Sequence, residues 1–133
     1  MLVGFEHAGM TAADLDRTIH FYCDLLGLRL ALRKRQATGE LAFLEAAGGM
    51  LEIFAPDQPV APACDVPPAE AGVRHLTFAV TEVDAMVARL EAAGVRVVER
   101  PRDAHNPEMI RRVAFVRDPD GIMVELVERA ANR

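Results

Sequence analysis

The 133-residue chain contains no tryptophan and a single tyrosine, although 51% of its residues are hydrophobic. Its apolar residues are mostly Ala, Val and Leu, so we expect a core built from small and branched side chains. Cysteine is also scarce, since Cys23 and Cys64 are the only two. Two cysteines cannot form the dense disulfide framework of small secreted domains, and we expect both to be free thiols.

Long apolar runs and basic segments are missing as well. No run approaches the roughly 20 apolar residues that span a bilayer, and the first residues lack the basic region and apolar stretch of a signal peptide. The net charge is −5, whereas binding to a nucleic-acid backbone requires a basic surface. We therefore expect a cytoplasmic protein that binds neither membranes nor nucleic acid.

Proline is concentrated in one segment of the chain. Five of the eight prolines lie between residues 56 and 68, and proline disfavours helices and central strands because it lacks a backbone N–H. We interpret residues 57–71 as a proline-rich linker. Within a single domain over residues 1–133, it separates a first module over 1–56 from a second module over 72–129.

The two halves of the sequence resemble each other, which indicates a duplicated module. His7 aligns with His75 at an offset of 68 residues, and Glu52 aligns with Glu125 at an offset of 73. A few additional loop residues account for the growing offset.

Both halves predict the element order βαβββ, from strand alternation and from one run of apolar residues at helical spacing. Gly27 and Gly94 are suited to ending the two helices. The predicted elements of the first half are a strand over 3–10, a helix over 14–26, and strands over 28–35, 40–46 and 50–55. Those of the second half are a strand over 73–80, a helix over 82–93, and strands over 95–100, 111–116 and 122–128.

Acidic residues fall on otherwise apolar strand faces. Side chains two residues apart on a strand share a face, so Glu52 lies with Met50 and Phe54, and Glu125 lies with Met123. A carboxylate in that setting is costly unless it is paired or bound to a cation.

Four such residues, His7, Glu52, His75 and Glu125, occupy equivalent places in the two halves. If the modules pair by a pseudo-twofold axis, all four converge on one cavity. Two neutral imidazoles and two carboxylates suit a first-row divalent metal such as Ni, Co, Zn, Mn or Fe. A single His or Glu on a strand is usually structural, but four at repeat-equivalent places favour a metal site.

Several segments resemble the vicinal oxygen chelate superfamily, over about residues 3–129: HAGMTAADLDRTIHFYCDLLGL, GGMLEIF, VRHLTFAV and DPDGIMVELVE. This superfamily includes glyoxalase I, methylmalonyl-CoA epimerase, extradiol dioxygenases and the bleomycin and fosfomycin resistance proteins. The resemblance implies an α+β fold in which two βαβββ modules pair into a cupped mixed sheet around a metal, commonly as a homodimer. It implies one divalent metal ion per site, with Ni or Co as first choice and Zn, Mn or Fe as alternatives. The ligands carried over are His7, Glu52, His75 and Glu125.

The complete ligand set resembles the glyoxalase I and epimerase pattern and implies a lyase or isomerase that transfers a proton at carbon. A metal can stabilise the enediolate that forms when a proton α to a carbonyl leaves. Glu125 is the first choice for the base, and Glu52 is the candidate base on the opposite face of the substrate. Two glutathione contacts of the short bacterial glyoxalase I pattern are missing, because Thr11 replaces an Arg and Pro56 replaces an Asn.

Three other functions stay open from the sequence. They are an epimerase of a methylmalonyl-CoA-like thioester, a resistance-type protein that binds a small molecule, and an extradiol dioxygenase. Four arginines, Arg74, Arg102, Arg111 and Arg112, are candidates for holding an anionic substrate, although solvated surface arginines are the commoner case. His105 and Asn106, in a turn-rich loop predicted over 101–109, are candidates for capping the pocket. The candidate substrate-binding residues are Met50, Phe54, Thr77, His105, Arg111 and Met123.

Overall fold

A computed structural model describes residues 1–133 and divides them into two compact units, Met1–Pro62 and Ala63–Arg133. The first unit contains β1 (His7–Thr11), α1 (Leu15–Ile19), a π-helical segment (His20–Leu25), β2 (Arg29–Gln36), β3 (Gly39–Ala46) and β4 (Gly49–Pro56). The second unit contains β5 (Leu76–Ala79), α2 (Val83–Ala92), β6 (Val97–Asp103), β7 (Ile110–Arg117) and β8 (Met123–Arg129). The predicted α+β fold with its βαβββ repeat is confirmed.

Each unit forms its own four-stranded mixed sheet, and the strand order is the same in both. The order is β1-β4-β3-β2 in the first unit and β5-β8-β7-β6 in the second. The first and last strands of each unit lie side by side in parallel, and the remaining neighbours are antiparallel. This topology brings the His-bearing and Glu-bearing segments of each unit together.

The predicted strand faces are confirmed by burial. On β4, Ile53 is fully buried, whereas Glu52 is only half-buried. On β8, Val124 and Leu126 are fully buried, whereas Glu125 is not. Burying an aliphatic side chain of this size contributes roughly 1.5–3 kcal/mol to folding. The aliphatic face therefore anchors each strand and turns the carboxylate toward the other side of the sheet.

The predicted starts of two strands are wrong. The first strand begins at His7 rather than at residue 3, and the fifth begins at Leu76 rather than at residue 73. Val3 and Phe5 are apolar but exposed. The partner strand β4 starts only at Gly49, and its register with β1 opens with His7 opposite Met50, so residues 3–6 have no continuous ladder.

The first helix also differs from the uniform α-helix predicted over 14–26. It becomes π-helical from His20, and the N–H of Leu26 donates to the carbonyl of Phe21 at 3.1 Å. Phe21 and Tyr22 are consecutive, yet both are buried and their rings meet edge to face. The wider turn accommodates this pair. Neither helix of the structure is long and apolar enough to cross a membrane.

A tight turn directly precedes β8. One carboxylate oxygen of the buried Asp118 accepts from the N–H groups of Asp120 and Ile122, each at 2.9 Å. Gly121 has φ +88°, a conformation that glycine adopts without strain. The turn Asp118–Gly121 is thus closed by the side chain of Asp118, which fixes where β8 starts.

The proline-rich segment is divided between the two units. Residues up to Pro62 belong to the first unit, and residues from Ala63 onward belong to the second. The N–H of Ala63 donates to the carbonyl of Asp120 at 2.9 Å, and Asp65 accepts from Arg117 at 2.5 and 2.8 Å. The hydrogen bond from Arg117 lowers the pKa of Asp65.

Glu128 provides a tertiary cap for helix α2. The residue that precedes the helix, Glu82, makes no side-chain capping bond. Instead, the buried carboxylate of Glu128 on β8 accepts from the N–H of Val83 at 2.8 Å and contacts Arg111. One acidic side chain therefore joins the sheet to the start of the helix.

Replacing Glu128 with Ala is expected to destabilise the protein by about 1–3 kcal/mol, because it leaves a buried N–H and the guanidinium of Arg111 without their acceptor. Thermal unfolding would measure the loss, because each kcal/mol lowers Tm by roughly 3–5 °C in a chain of this size. Glu128→Gln keeps one acceptor for Val83 and should lose less. Equal stability of Glu128→Ala and the unaltered protein would contradict the capping role.

Candidate metal centre

The first unit brings His7 and Glu52 to the same face of its sheet. The His7 Nε2 and Glu52 Oε2 atoms are 3.9 Å apart. Glu52 is paired across the sheet with Gly9 on β1 and with Phe43 on β3. The His7 ring packs edge-on against Phe43, with ring centroids 5.7 Å apart. The strand register thus creates a cluster of one imidazole, one carboxylate and one aromatic ring.

The second unit repeats this cluster with closer contacts. The His75 Nε2 and Glu125 Oε2 atoms are 3.0 Å apart. Glu125 is paired with Thr77 on β5 and with Phe115 on β7. The His75 ring packs edge-on against Phe115, with centroids 5.6 Å apart. The sequence repeat is therefore matched by a repeat of side-chain geometry.

The two clusters differ at one sheet position. Opposite Glu52 lies Gly9, which has no side chain, whereas opposite Glu125 lies Thr77. The Thr77 hydroxyl donates to Glu125 Oε2 at 2.7 Å. The Glu125 side chain is also more enclosed, with 12% of its surface exposed against 38% for Glu52. Glu125 is consequently held more firmly than Glu52.

Glu6 is a functional candidate that the sequence pattern did not indicate. Its carboxylate contacts His7 Nδ1, and this hydrogen bond raises the pKa of His7. A carboxylate on the second ring nitrogen is the usual partner of a metal-binding histidine, because it orients the ring and leaves Nε2 for the metal. Its place next to His7 in the chain is the only signal that could have revealed it.

The donor atoms suit a first-row divalent metal ion. Two N or O donors that each lie about 2.0–2.2 Å from one metal stand roughly 3.3–3.6 Å apart in a tetrahedral site and about 2.8–3.1 Å apart as neighbours in an octahedral site. The His75–Glu125 separation matches the octahedral spacing, and the His7–Glu52 separation of 3.9 Å is slightly wider than both. No three His, Cys, Asp or Glu side chains of the structure are grouped so that they could hold a metal ion. Each unit contains one His–Glu pair.

The candidate substrate-binding residues lie at four separate places. Met50, Phe54 and Met123 are half-buried, and Met50 and Phe54 lie on the same strand face as Glu52. Thr77 contacts Glu125, as described above. Arg111 lies further along β7, where its guanidinium contacts the buried Glu128. His105 lies in the segment between β6 and β7.

A cavity of about 80 Å³ opens beside Glu125 within the second unit. Arg102 at the end of β6 lines it together with His105, Asn106 and Glu125. Only His105 and Asn106 come from the segment between β6 and β7. Phe115, which packs on His75, also lines the cavity. The cavity is thus continuous with the second His–Glu cluster.

Comparison with known proteins identifies the class. The family model described as Glyoxalase/Bleomycin resistance protein/Dioxygenase superfamily matches residues 4–126. This chain belongs to that superfamily. It is 34% identical over 125 residues to the uncharacterized protein YaeR of Escherichia coli, covering 93% of this chain and 95% of YaeR.

Two further relatives carry functional names. A probable lactoylglutathione lyase of Vibrio cholerae is 33% identical over 131 residues, covering 92% of this chain and 88% of that protein. The crystal structure of glyoxalase I from Zea mays superposes with a TM-score of 0.78 at 27% identity. That match covers 96% of this chain and 45% of the maize chain. The resemblance inferred from the sequence motifs is confirmed at the level of the superfamily.

Proposed function

We propose that this protein is a metal-dependent lyase or isomerase of the glyoxalase type, which moves a proton at a carbon next to a carbonyl group. The observation that carries the proposal is the recurrence of one His–Glu–Phe cluster at equivalent sheet positions of both units. The names of relatives at about 30% identity agree with this reaction class. The proposed ligands are His7, Glu52, His75 and Glu125, with Ni or Co preferred over Zn, Mn or Fe.

The chemistry divides between the metal and the carboxylates. When bound, the metal ion would stabilise negative charge that develops on the substrate oxygens. Glu125 Oε2 already contacts Thr77 Oγ1 and His75 Nε2, so Oε1 is the atom with which Glu125 would take a proton from carbon. Glu52, which is more exposed and has no hydroxyl group opposite it, would return a proton from its own side. Each carboxylate would serve as ligand and base in turn.

Metal loading followed by turnover in deuterium oxide tests this proposal. Samples of the full chain, freed of metal with a chelator and reloaded with Ni, Co, Zn, Mn or Fe, would be mixed with methylglyoxal and glutathione. We expect a thioester to form only when metal is present. We also expect its isotope pattern to depend on the solvent. Absence of turnover with every metal would exclude the glutathione-dependent reaction, and full turnover without metal would exclude the metal mechanism.

A second candidate is an epimerase that acts on a thioester related to methylmalonyl-CoA. Thr11 and Pro56 favour it, because the Arg and Asn expected to contact glutathione are absent from those positions. The same four ligands and two bases would serve both reactions. Metal-dependent exchange of solvent deuterium into methylmalonyl-CoA, without turnover of the glutathione adduct, would select the epimerase. A homodimer is proposed for either enzyme, and light scattering in solution would test it.

A further inference from the structure

The cavity beside Glu125 is small. Its volume of about 80 Å³ holds several water molecules but lies far below the roughly 300–1,000 Å³ of pockets that enclose a drug-sized ligand. It therefore suits one polar group of a ligand together with a short stem. A whole tripeptide or nucleotide does not fit within it.

Arg102 brings a guanidinium group to this cavity, where the group is already ion-paired with Glu99. Its Nε donates to Glu99, and its Nη1 donates to the carbonyl of Asp103 at 3.0 Å. A guanidinium carries five N–H donors, so these two bonds orient the side chain and leave further donors on its terminal nitrogens. Such a planar fork recognises carboxylates through paired hydrogen bonds.

The loop next to Arg102 is also fixed in place. The carbonyl of Asn106 accepts from the N–H groups of Met109 at 3.0 Å and Ile110 at 3.1 Å. The N–H of Ala104 donates to the carbonyl of Arg111 at 3.2 Å. These bonds hold the Asn106 and His105 side chains at the cavity, where both can donate hydrogen bonds.

The remaining lining determines what the donors can bind. Ile110, Val113 and Phe115 are apolar, and Glu125 is the only acidic residue that lines the cavity. Apolar walls lower the local dielectric constant and strengthen an ion pair with Arg102. Glu125 would face the reacting carbon, whereas Arg102 and Asn106 would face an anionic group.

We propose that this cavity is a carboxylate subsite, in which Arg102 and Asn106 bind a carboxylate of a small substrate. The substrate class is a compound that carries a carboxylate within a few bonds of the carbon that loses its proton. This assignment of the reacting carbon rests on the proposed function, whereas the anion-binding role of Arg102 does not. Glutathione would not be needed as the recognition element.

L-lactate and L-lactamide are suitable probes, because they share their shape and differ in the negative charge. Nitrogen-15-labelled protein would be titrated with each compound, both after chelator treatment and after loading with zinc. Lactate is expected to shift the amide signals of Ala104–Asn106 and Phe115, and lactamide is expected to bind at least about tenfold more weakly. Arg102→Gln should weaken lactate binding by a similar factor in both samples.

Arg100→Gln is the matched control, because Arg100 pairs with Glu91 at 2.7 Å and does not line the cavity. Arg102→Lys, which keeps the charge, should retain part of the affinity if Arg102→Gln fails to fold. Equal binding of lactate and lactamide, or unchanged lactate binding in Arg102→Gln, would overturn the subsite. Arg102-dependent lactate binding in a protein that shows no metal-dependent turnover would support the subsite and reject the proposed function alone.

Discussion

Glu125→Gln is expected to reduce proton transfer by at least about a hundredfold, because a general base contributes roughly 10²–10⁴-fold to such reactions. The amide keeps the size of the side chain and can still accept the hydrogen bond from Thr77. It carries no negative charge, so it can neither take a proton from carbon nor bind a divalent ion as a carboxylate does. Metal content after dialysis and the rate of deuterium exchange are the two measurements.

Three variants separate the roles of the carboxylates. Glu52→Gln should also lose metal, since it removes one of the four proposed ligands. Glu45→Gln changes an exposed residue that pairs with Arg29, so both measurements should stay at the level of the unaltered protein. If Glu125→Gln retained its metal and its exchange rate, Glu125 would be neither ligand nor base.

Much of the fold could be predicted because its signals are local. Strand alternation located the aliphatic faces of β4 and β8, and the left-handed conformations of Gly27 and Gly94 end the helices where expected. Strand starts depended instead on where a partner strand begins. The π-helical segment depended on the packing of Phe21 and Tyr22 together, which the α-helical spacing of apolar residues does not encode.

The candidate site could be predicted in part because the repeat is visible in the sequence itself. Repeat symmetry identified the His and Glu of each unit without any knowledge of the sheet. The partners of these residues come from neighbouring strands, and their contacts depend on register. Thr77 meets Glu125, and Glu128 meets Val83, across 48 and 45 residues of sequence. A single sequence does not show which strands pair or in which register, so it carries no signal for such contacts.

The hydrogen bond between Thr77 and Glu125 leads to the second large effect. It fixes Glu125 Oε2 at 2.7 Å from the hydroxyl, and removing a partner that orients a metal ligand typically costs ten- to a hundredfold in metal affinity or activity. Thr77→Val keeps the branched shape that suits a strand but removes the donor. We expect it to weaken metal binding by about that factor.

The equivalent position of the first unit provides the reciprocal test. A Cβ atom added at Gly9 would meet no heavy atom within 4 Å, and Gly9 is paired with Glu52 as Thr77 is with Glu125. Gly9→Thr should therefore supply Glu52 with a donor and strengthen metal binding. Competition with a chromophoric chelator would measure both variants, and Thr77→Ser should restore the affinity that Thr77→Val loses. If Thr77→Val and Thr77→Ser bound metal equally well, the hydroxyl would have no part in positioning Glu125, and the closer packing of the second cluster would have to account for its geometry.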